Sequence, residues 1–200
     1  MRVYGMSLSG NCYKLKLLME LTGQAYQWEE VDILAGEAAV PEFLAKNANG
    51  KVPVLELDNG EFLPESNAGL FYLAAGSDFY PNDTLTQARV LQWMFFEQYS
   101  HEPAIAVARF ISKFLPEDHP RRADLPALHD KGYQAFKVME QHLSAEQWFA
   151  GEQASIADIA LYAYSHVATD GGFDLTNYPH ILRWFEDIQG LPGYVPMTER

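Results

Sequence analysis

The chain has 200 residues, 48% of them hydrophobic and 14% aromatic, enough to bury one good core or two small ones sharing an interface. A disordered chain is excluded, because disorder requires low hydrophobicity. The net charge is −13 and the pI about 4.7, which argues against nucleic acid or an anionic membrane as partner. A small anionic ligand is not excluded, since it meets local donors rather than the net charge.

The lone cysteine, Cys12, rules out an intrachain disulfide and a disulfide-stapled secreted domain. Residues 1–6 lack the apolar core of a signal peptide, and no window holds the roughly 18 uncharged apolar residues of a membrane span. Asn82-Asp83-Thr84 matches a glycosylation signal by chance in a chain without a secretory leader. A cytoplasmic protein is expected.

Arg2 to Met6 reads as a short strand. Asn11 to Leu21 places Leu15, Leu17, Leu18 and Leu21 at helical spacing, and Gly23 stops the run. Tyr26 to Ile33 alternates as a strand. Pro41 to Lys46 begins with a Pro suited to a first helical turn. Lys51 to Leu57 is a strand, Asp58-Asn59-Gly60 a tight turn, and Glu61 to Leu63 its hairpin partner. Ser66 to Ala75 is helical and ends at Gly76. The order is β-α-β-α-β-β-α.

Residues 77–84 are polar and aperiodic, and a linker is placed at 78–85. Thereafter only helices are expected: Leu85 to Phe114, Leu125 to Leu143, Ser155 to Ala168 and Tyr178 to Ile188. The layout is an α/β domain over 1–77 followed by an all-helical domain over 86–200.

Three stretches carry chemistry. In Lys51-Val52-Pro53-Val54, a Pro cannot donate to a ladder and belongs at a strand start, edge or bulge. A cis Val52-Pro53 bond would leave the Val52 N–H and C=O free for an extended ligand; a trans bond at a strand start is the plainer alternative. Glu65-Ser66 opens a helix, where backbone N–H groups bind anions. The Ser hydroxyl suits a carboxylate and the Glu an ammonium, the two ends of an amino-acid zwitterion; a simple N-cap is the alternative. Ser7-Leu8-Ser9-Gly10-Asn11-Cys12-Tyr13-Lys14 sets hydroxyls beside the N-terminus of the first helix, which favours a bound thiolate.

In this order the three stretches resemble the glutathione transferase superfamily. Asn47-Ala48-Asn49-Gly50-Lys51-Val52-Pro53-Val54-Leu55-Glu56, the turn at 58–60 and Leu63-Pro64-Glu65-Ser66-Asn67-Ala68 are similar to its glutathione-binding half. Gly151-Glu152-Gln153-Ala154-Ser155-Ile156-Ala157-Asp158 is similar to its helical-domain folding motif, with Ser155 and Asp158 as a capping box. Ala48 replaces a frequent Pro, and Asn67-Ala68-Gly69 a more apolar run; neither change removes a ligand group. The resemblance implies a thioredoxin-like first domain, a cis Val52-Pro53 bond and a homodimer.

Ser9-x-x-Cys12-x-Lys14 resembles the serine-type members, and on that match Ser9 is the hydroxyl that activates glutathione. Lowering a free thiol pKa of about 8.5 by about two requires roughly 3 kcal/mol. One charge-assisted hydrogen bond plus a helix dipole is of that size. Ser7 lies nearer the strand, Tyr4 falls inside it, and Cys12, able in principle to form a mixed disulfide, fits a buried first-turn position better. The resemblance further implies that Val52, with Pro53, pairs with the cysteinyl part, that Glu65 and Ser66 hold the γ-glutamyl end, and that Lys51 reaches the glycyl carboxylate. Asn11 and Cys12 adjoin that site.

The electrophile, a small hydrophobic molecule, is expected between the domains against the 85–114 helix, with Tyr99 and Arg109 as lining candidates. His101-Glu102-Pro103 interrupts that helix; His101-Glu102 lacks a second His at helical spacing, and no metal is expected. The expected activity is glutathione transfer. A glutathione-dependent peroxidase or disulfide reductase, or a non-catalytic binding protein on the same fold, are the alternatives.

Overall fold

The computed structural model describes residues 1–197. Two compact units are present: residues 1–77 together with the tail that begins at Leu191, and Asp78–Gly190. Residues 198–200 lie outside the described residues.

The first unit holds a four-stranded sheet of order β2-β1-β3-β4, built from β1 (Arg2–Gly5), β2 (Gln27–Glu30), β3 (Val54–Glu56) and β4 (Phe62–Pro64). β2 runs parallel to β1, whereas β3 and β4 are antiparallel to their neighbours. The parallel crossover is α1 (Gly10–Thr22). Gly23 ends it in the left-handed conformation, φ 67°, and returns its N–H to Glu20. α2 (Pro41–Leu44) and α3 (Ser66–Ala74) complete the α/β arrangement expected from the sequence.

Strand limits differ from the sequence expectation for local reasons. β2 stops at Glu30 because Asp32 Oδ1 accepts the N–H groups of Leu34 and Ala35, at 2.9 and 3.1 Å, and turns the chain. β3 begins only at Val54, since Pro53 has no N–H to give the ladder. The Leu57–Glu61 turn closes as expected, with Gly60 N–H donating to the Leu57 carbonyl at 2.9 Å.

One face of the sheet packs Val31, Ala38, Phe43 and Val54 together, with Tyr4, Ile33 and Val52 at the margin. α1 and α3 pack on each other and bury Leu15, Leu17, Leu18, Leu70 and Leu73. The tail is stitched to α1 by the Tyr13 hydroxyl, which donates to the Val195 carbonyl at 2.7 Å. At Gly193 (φ 86°) any Cβ would come within 2.8 Å of the Glu20 carbonyl oxygen, so this approach requires glycine.

The second unit is helical among its described residues. The expected 85–114 helix is divided into α4 (Thr84–Phe96), a π turn at Glu97–His101 and α5 (Glu102–Phe114). Pro103 is the physical cause, because it cannot donate to the preceding turn. α6 (Leu125–Leu143), α7 (Ile156–Ser165) and α8 (Pro179–Gln189) follow. The expected 155–168 helix ends at Ser165 and gives way to a short 3₁₀ turn at Ala168–Gly171.

Asp158 anchors this unit. Its Oδ2 accepts the Ser155 N–H and hydroxyl, both at 2.9 Å, closing the capping box. Its Oδ1 accepts the Phe149 N–H at 3.0 Å and the Trp184 indole N–H at 3.1 Å. One fully buried carboxylate thus ties the start of α7 to α8 and the 144–155 loop. Burial pushes its pKa up, and the four donors oppose that.

Candidate functional site

Sheet register gathers the sequence-selected residues of the first unit. Tyr4 faces Val54, and Val54 faces Pro64. β1 ends, β3 begins and β4 ends at the same edge of these pairs, so the β1–α1 turn, the residue before Pro53 and the first turn of α3 all leave one end of the sheet.

Ser9 is the N-cap of α1. Its backbone is extended (φ −88°, ψ 124°) and its Oγ accepts the Cys12 N–H at 3.4 Å. The Ser9 N–H donates to the Met6 carbonyl at 2.9 Å, which closes a tight turn through Ser7 and Leu8. A hydroxyl so placed lies at the positive end of a 13-residue helix.

The Val52-Pro53 bond is cis. The loop before it is organised by Asn47, which is buried. Its Nδ2 donates to the Lys51 carbonyl at 2.8 Å and its Oδ1 accepts the Asn49 N–H at 3.0 Å. Val52 is partly exposed, Pro53 buried and Lys51 exposed.

Glu65, not Ser66, is the N-cap of α3, and no side chain caps that helix. Glu65 has φ 72° and ψ 113°, the one non-glycine residue at positive φ among those described. Such a backbone costs about 1–3 kcal/mol and persists where surroundings impose it. Ser66 is the first helical residue and is buried. Its Oγ donates to Asn11 Oδ1 at 3.2 Å and accepts from Lys14 Nζ at 3.3 Å. Lys14 Nζ also donates to Asn67 Oδ1 at 3.2 Å. Free N–H groups at this helix start, beside a fully buried ammonium, make the surroundings of Ser66 electropositive.

Cys12 lies in the first turn of α1, fully buried, with Sγ accepting the Met6 N–H at 3.4 Å. Burial pushes its thiol up to about 12, against the opposing bonds from Ser9 and Met6. Fully buried, it is held as a thiol. The Tyr4 hydroxyl is engaged by Glu56 at 2.7 Å, and burial, followed by that bond, pushes its pKa up.

In the helical unit, Arg109 is 3% exposed, and its Nε donates to Asp170 Oδ2 at 3.0 Å. Lys113 Nζ shares that oxygen at 2.7 Å. The guanidinium is thus committed to holding the Ala168–Gly171 turn rather than lining an open cleft. Tyr99, by contrast, is 88% exposed. It borders a groove of about 490 Å³ with Phe96, Pro103, Leu128, Lys131 and Val138. Among the described residues no cluster of His, Cys, Asp or Glu could hold a metal ion.

Two contributions escaped the sequence reading. Asn47 orders the loop before Pro53, and Lys14 sits under Ser66. The signal for Lys14 was present, since it lies three residues after Asn11 on the face of α1 that also carries Leu18. A charge on such a face marks a buried partner.

Residues 1–75 match the glutathione S-transferase N-terminal domain, and residues 99–192 match the glutathione S-transferase C-terminal domain. The disulfide-bond oxidoreductase YfcG of Escherichia coli K12 is 30% identical over 190 residues, covering 92% of this chain and 87% of its own. Glutathione S-transferase 2 of Anopheles gambiae is 28% identical over 196 residues, with 95% and 91% covered. A crystal structure of a glutathione S-transferase from Pseudomonas fluorescens superposes with a TM-score of 0.95 at 55% identity, covering 99% of this chain and 98% of that one. A possible glutathione S-transferase from Rhodopseudomonas palustris gives a TM-score of 0.95 at 42% identity, with 100% and 90% covered.

Proposed function

The chain belongs to the glutathione S-transferase family, and on that premise we propose that it binds glutathione, ionises its thiol at Ser9 and directs the thiolate at a hydrophobic electrophile. The observation that carries this reading is that the Ser9 turn, Val52 and the first turn of α3 leave the same end of the sheet, with Ser66 bonded to Asn11 of α1. Glutathione is an extended tripeptide with a carboxylate at each end and a thiol in the middle, and these segments offer groups for each.

Each residue has a part. The Val52 backbone pairs with the cysteinyl unit, and Pro53 holds it clear of the sheet. The uncapped start of α3, with the Ser66 hydroxyl, takes the γ-glutamyl carboxylate. Glu65 takes the adjacent ammonium. Lys51 reaches the glycyl carboxylate. The Ser66 hydroxyl, which donates to Asn11 in the free protein, turns to the γ-glutamyl carboxylate when glutathione binds. Ser9 donates its hydrogen bond to the sulfur as charge develops there. The carbon–sulfur bond then forms, the leaving group departs with its electron pair, and the thiol proton passes to solvent. Cys12 and Arg109 have no part in this reading, for the reasons of burial and pairing above. Tyr99 remains open to an electrophile. The working protein is a cytoplasmic homodimer that needs no metal.

A second reading shares the site. The Escherichia coli relative is named a disulfide-bond oxidoreductase. Here the same thiolate attacks a disulfide sulfur, and a second glutathione completes the exchange to glutathione disulfide and two thiols. Rates toward a chloronitrobenzene and toward a mixed disulfide separate the two.

The test of the shared step is the ultraviolet absorbance of bound glutathione thiolate, in wild type and Ser9→Ala. Wild type is expected to show thiolate well below the free thiol pKa of about 8.5. Ser9→Ala is expected to lose that signal while still binding glutathione. A mutant with an unchanged signal removes Ser9 from the role. A wild type that does not bind glutathione favours a non-catalytic binding protein.

A further inference from the structure

Register fixes Glu30 at a particular place. β2 pairs with β1 so that Glu30, the last residue of β2, stands opposite Gly5, the last of β1. The Val31 N–H donates to the Gly5 carbonyl at 2.9 Å and locks the level. From there the Glu30 side chain reaches past Met6. Its Oε1 accepts the Ser7 N–H at 2.9 Å, and its Oε2 accepts the Ser7 hydroxyl at 2.6 Å. The Trp28 indole N–H donates to the same Oε2 at 2.7 Å. Trp28 and Glu30, two residues apart, share one face of the strand. The indole lies close over Gly5, where a Cβ would meet Trp28 Cη2 at 3.0 Å and Cys12 Sγ at 3.1 Å.

Ser7 is one of the two central residues of the Met6–Ser9 turn, and only Leu8 separates it from Ser9. A carboxylate that accepts both the N–H and the hydroxyl of one residue restricts that residue's backbone and its χ1 together. Glu30 is exposed, so these bonds add little to global stability. Their effect is local. A hydroxyl stabilises a thiolate only within hydrogen-bond reach and at good angle, so placement of the turn governs the chemistry.

We propose that Glu30 is a positioning residue: through Ser7 it sets the turn that aims the Ser9 hydroxyl at the glutathione sulfur. This rests on the reading of Ser9 given above. The anchors for the rest of glutathione, at Val52 and at Glu65 and Ser66, stand on other elements and are untouched by it.

The sign of one measurement separates positioning from simple electrostatics. Deleting a negative charge near a thiolate lowers the thiol pKa, whereas misplacing the hydroxyl raises it. In Glu30→Ala the pKa of bound glutathione is expected to rise toward the free value of about 8.5. kcat is expected to fall about tenfold to a hundredfold, the scale of a lost positioning contact, with the KM for glutathione changed less than about twofold. Amide exchange at Ser7 and Ser9 accelerates, and the thermal midpoint hardly moves. Glu30→Gln falls between, since its amide oxygen still accepts from Ser7 while its NH₂ opposes the Trp28 donor. Glu29→Ala on the opposite face of β2 behaves as wild type.

A bound-thiol pKa that is unchanged or lowered in Glu30→Ala, or unaltered exchange at Ser7 and Ser9, overturns the proposal. Ser9→Ala measured alongside tells the two readings apart. If that variant loses the thiolate and Glu30→Ala keeps it, only the Glu30 role fails. If wild type shows no thiolate, the Ser9 reading fails and this one with it.

Discussion

The Ser66 hydroxyl donates to Asn11 Oδ1 at 3.2 Å, and that bond joins the first turn of α3 to the first turn of α1 across 55 residues of sequence. The two helix starts that would share one glutathione molecule are therefore coupled before any ligand arrives. Removing the hydroxyl should weaken binding more than chemistry. Ser66→Ala is expected to raise the Kd for glutathione about tenfold, or about 1.4 kcal/mol, with kcat near wild type. Asn11→Ala should show a smaller loss of the same kind. A titration by intrinsic fluorescence measures both, and an unchanged Kd in Ser66→Ala would remove this residue from the binding site.

Glu65 holds an unfavourable backbone, φ 72°, at a place where glycine would be at ease. Glu65→Gly relieves about 1–3 kcal/mol of strain and gives back about 0.5–1 kcal/mol as unfolded-chain entropy. The expected result is a fold at least as stable as wild type that binds glutathione at least about tenfold more weakly, as a lost charge-assisted contact requires. Glu65→Ala retains the strain and should lose binding without the gain in stability. Urea unfolding beside a glutathione titration checks both halves. A Glu65→Gly protein that binds as tightly as wild type would mean that the strain serves something other than glutathione.

Cys12 is fully buried and its thiol is pushed up to about 12. In the folded protein iodoacetamide should therefore modify it on the order of a thousandfold more slowly than free cysteine, whose pKa is about 8.5. Modification should reach the ordinary rate only in denaturant. Mass spectrometry after timed quenching reads this directly. Rapid native-state labelling would show that the turn around Ser9 opens far more often than its hydrogen bonds imply.

His166 is stacked on Tyr162 at 4.4 Å, with Nδ1 donating to the Tyr162 carbonyl at 2.8 Å. Burial, with a smaller contribution from the Arg109 charge, lowers its pKa from 6.5 to about 4. The unfolded chain then binds a proton that the folded chain refuses between those values. Stability is present in full above the unfolded pKa and is lost as pH falls toward about 4. The expected loss between about pH 7 and about pH 5 is about 2 kcal/mol. His166→Phe keeps the stacked ring and removes the titration, so its unfolding free energy should vary less over that range. Parallel slopes for the two proteins would assign the pH dependence elsewhere.

Several parts of this molecule could be read directly. The turn closed by Gly60, the stop at Gly23 and the Ser155–Asp158 capping box each depend on a few adjacent residues. Pro103 marked the break in the 85–114 helix, although the form of the break, a π turn, was not evident. Strand limits were overextended where a side chain competed for the backbone, as Asp32 does after β2. The family resemblance was equally legible, because its motifs are short and their order is fixed.

What the sequence determined by itself was the order of the elements and the position along the chain of the groups able to handle a thiol and a carboxylate. Those follow from φ/ψ limits, missing N–H groups and caps, which act over a handful of residues. Which group meets which was decided only by the tertiary structure. The sheet register brings the Ser9 turn, Val52 and the start of α3 to one end of the sheet and Glu30 to Ser7. Packing buries Lys14 under Ser66, commits Arg109 to Asp170 and holds Cys12 as a thiol. Burial and partner choice depend on segments that are far apart in the chain and become neighbours only once the sheet and helices have closed on each other.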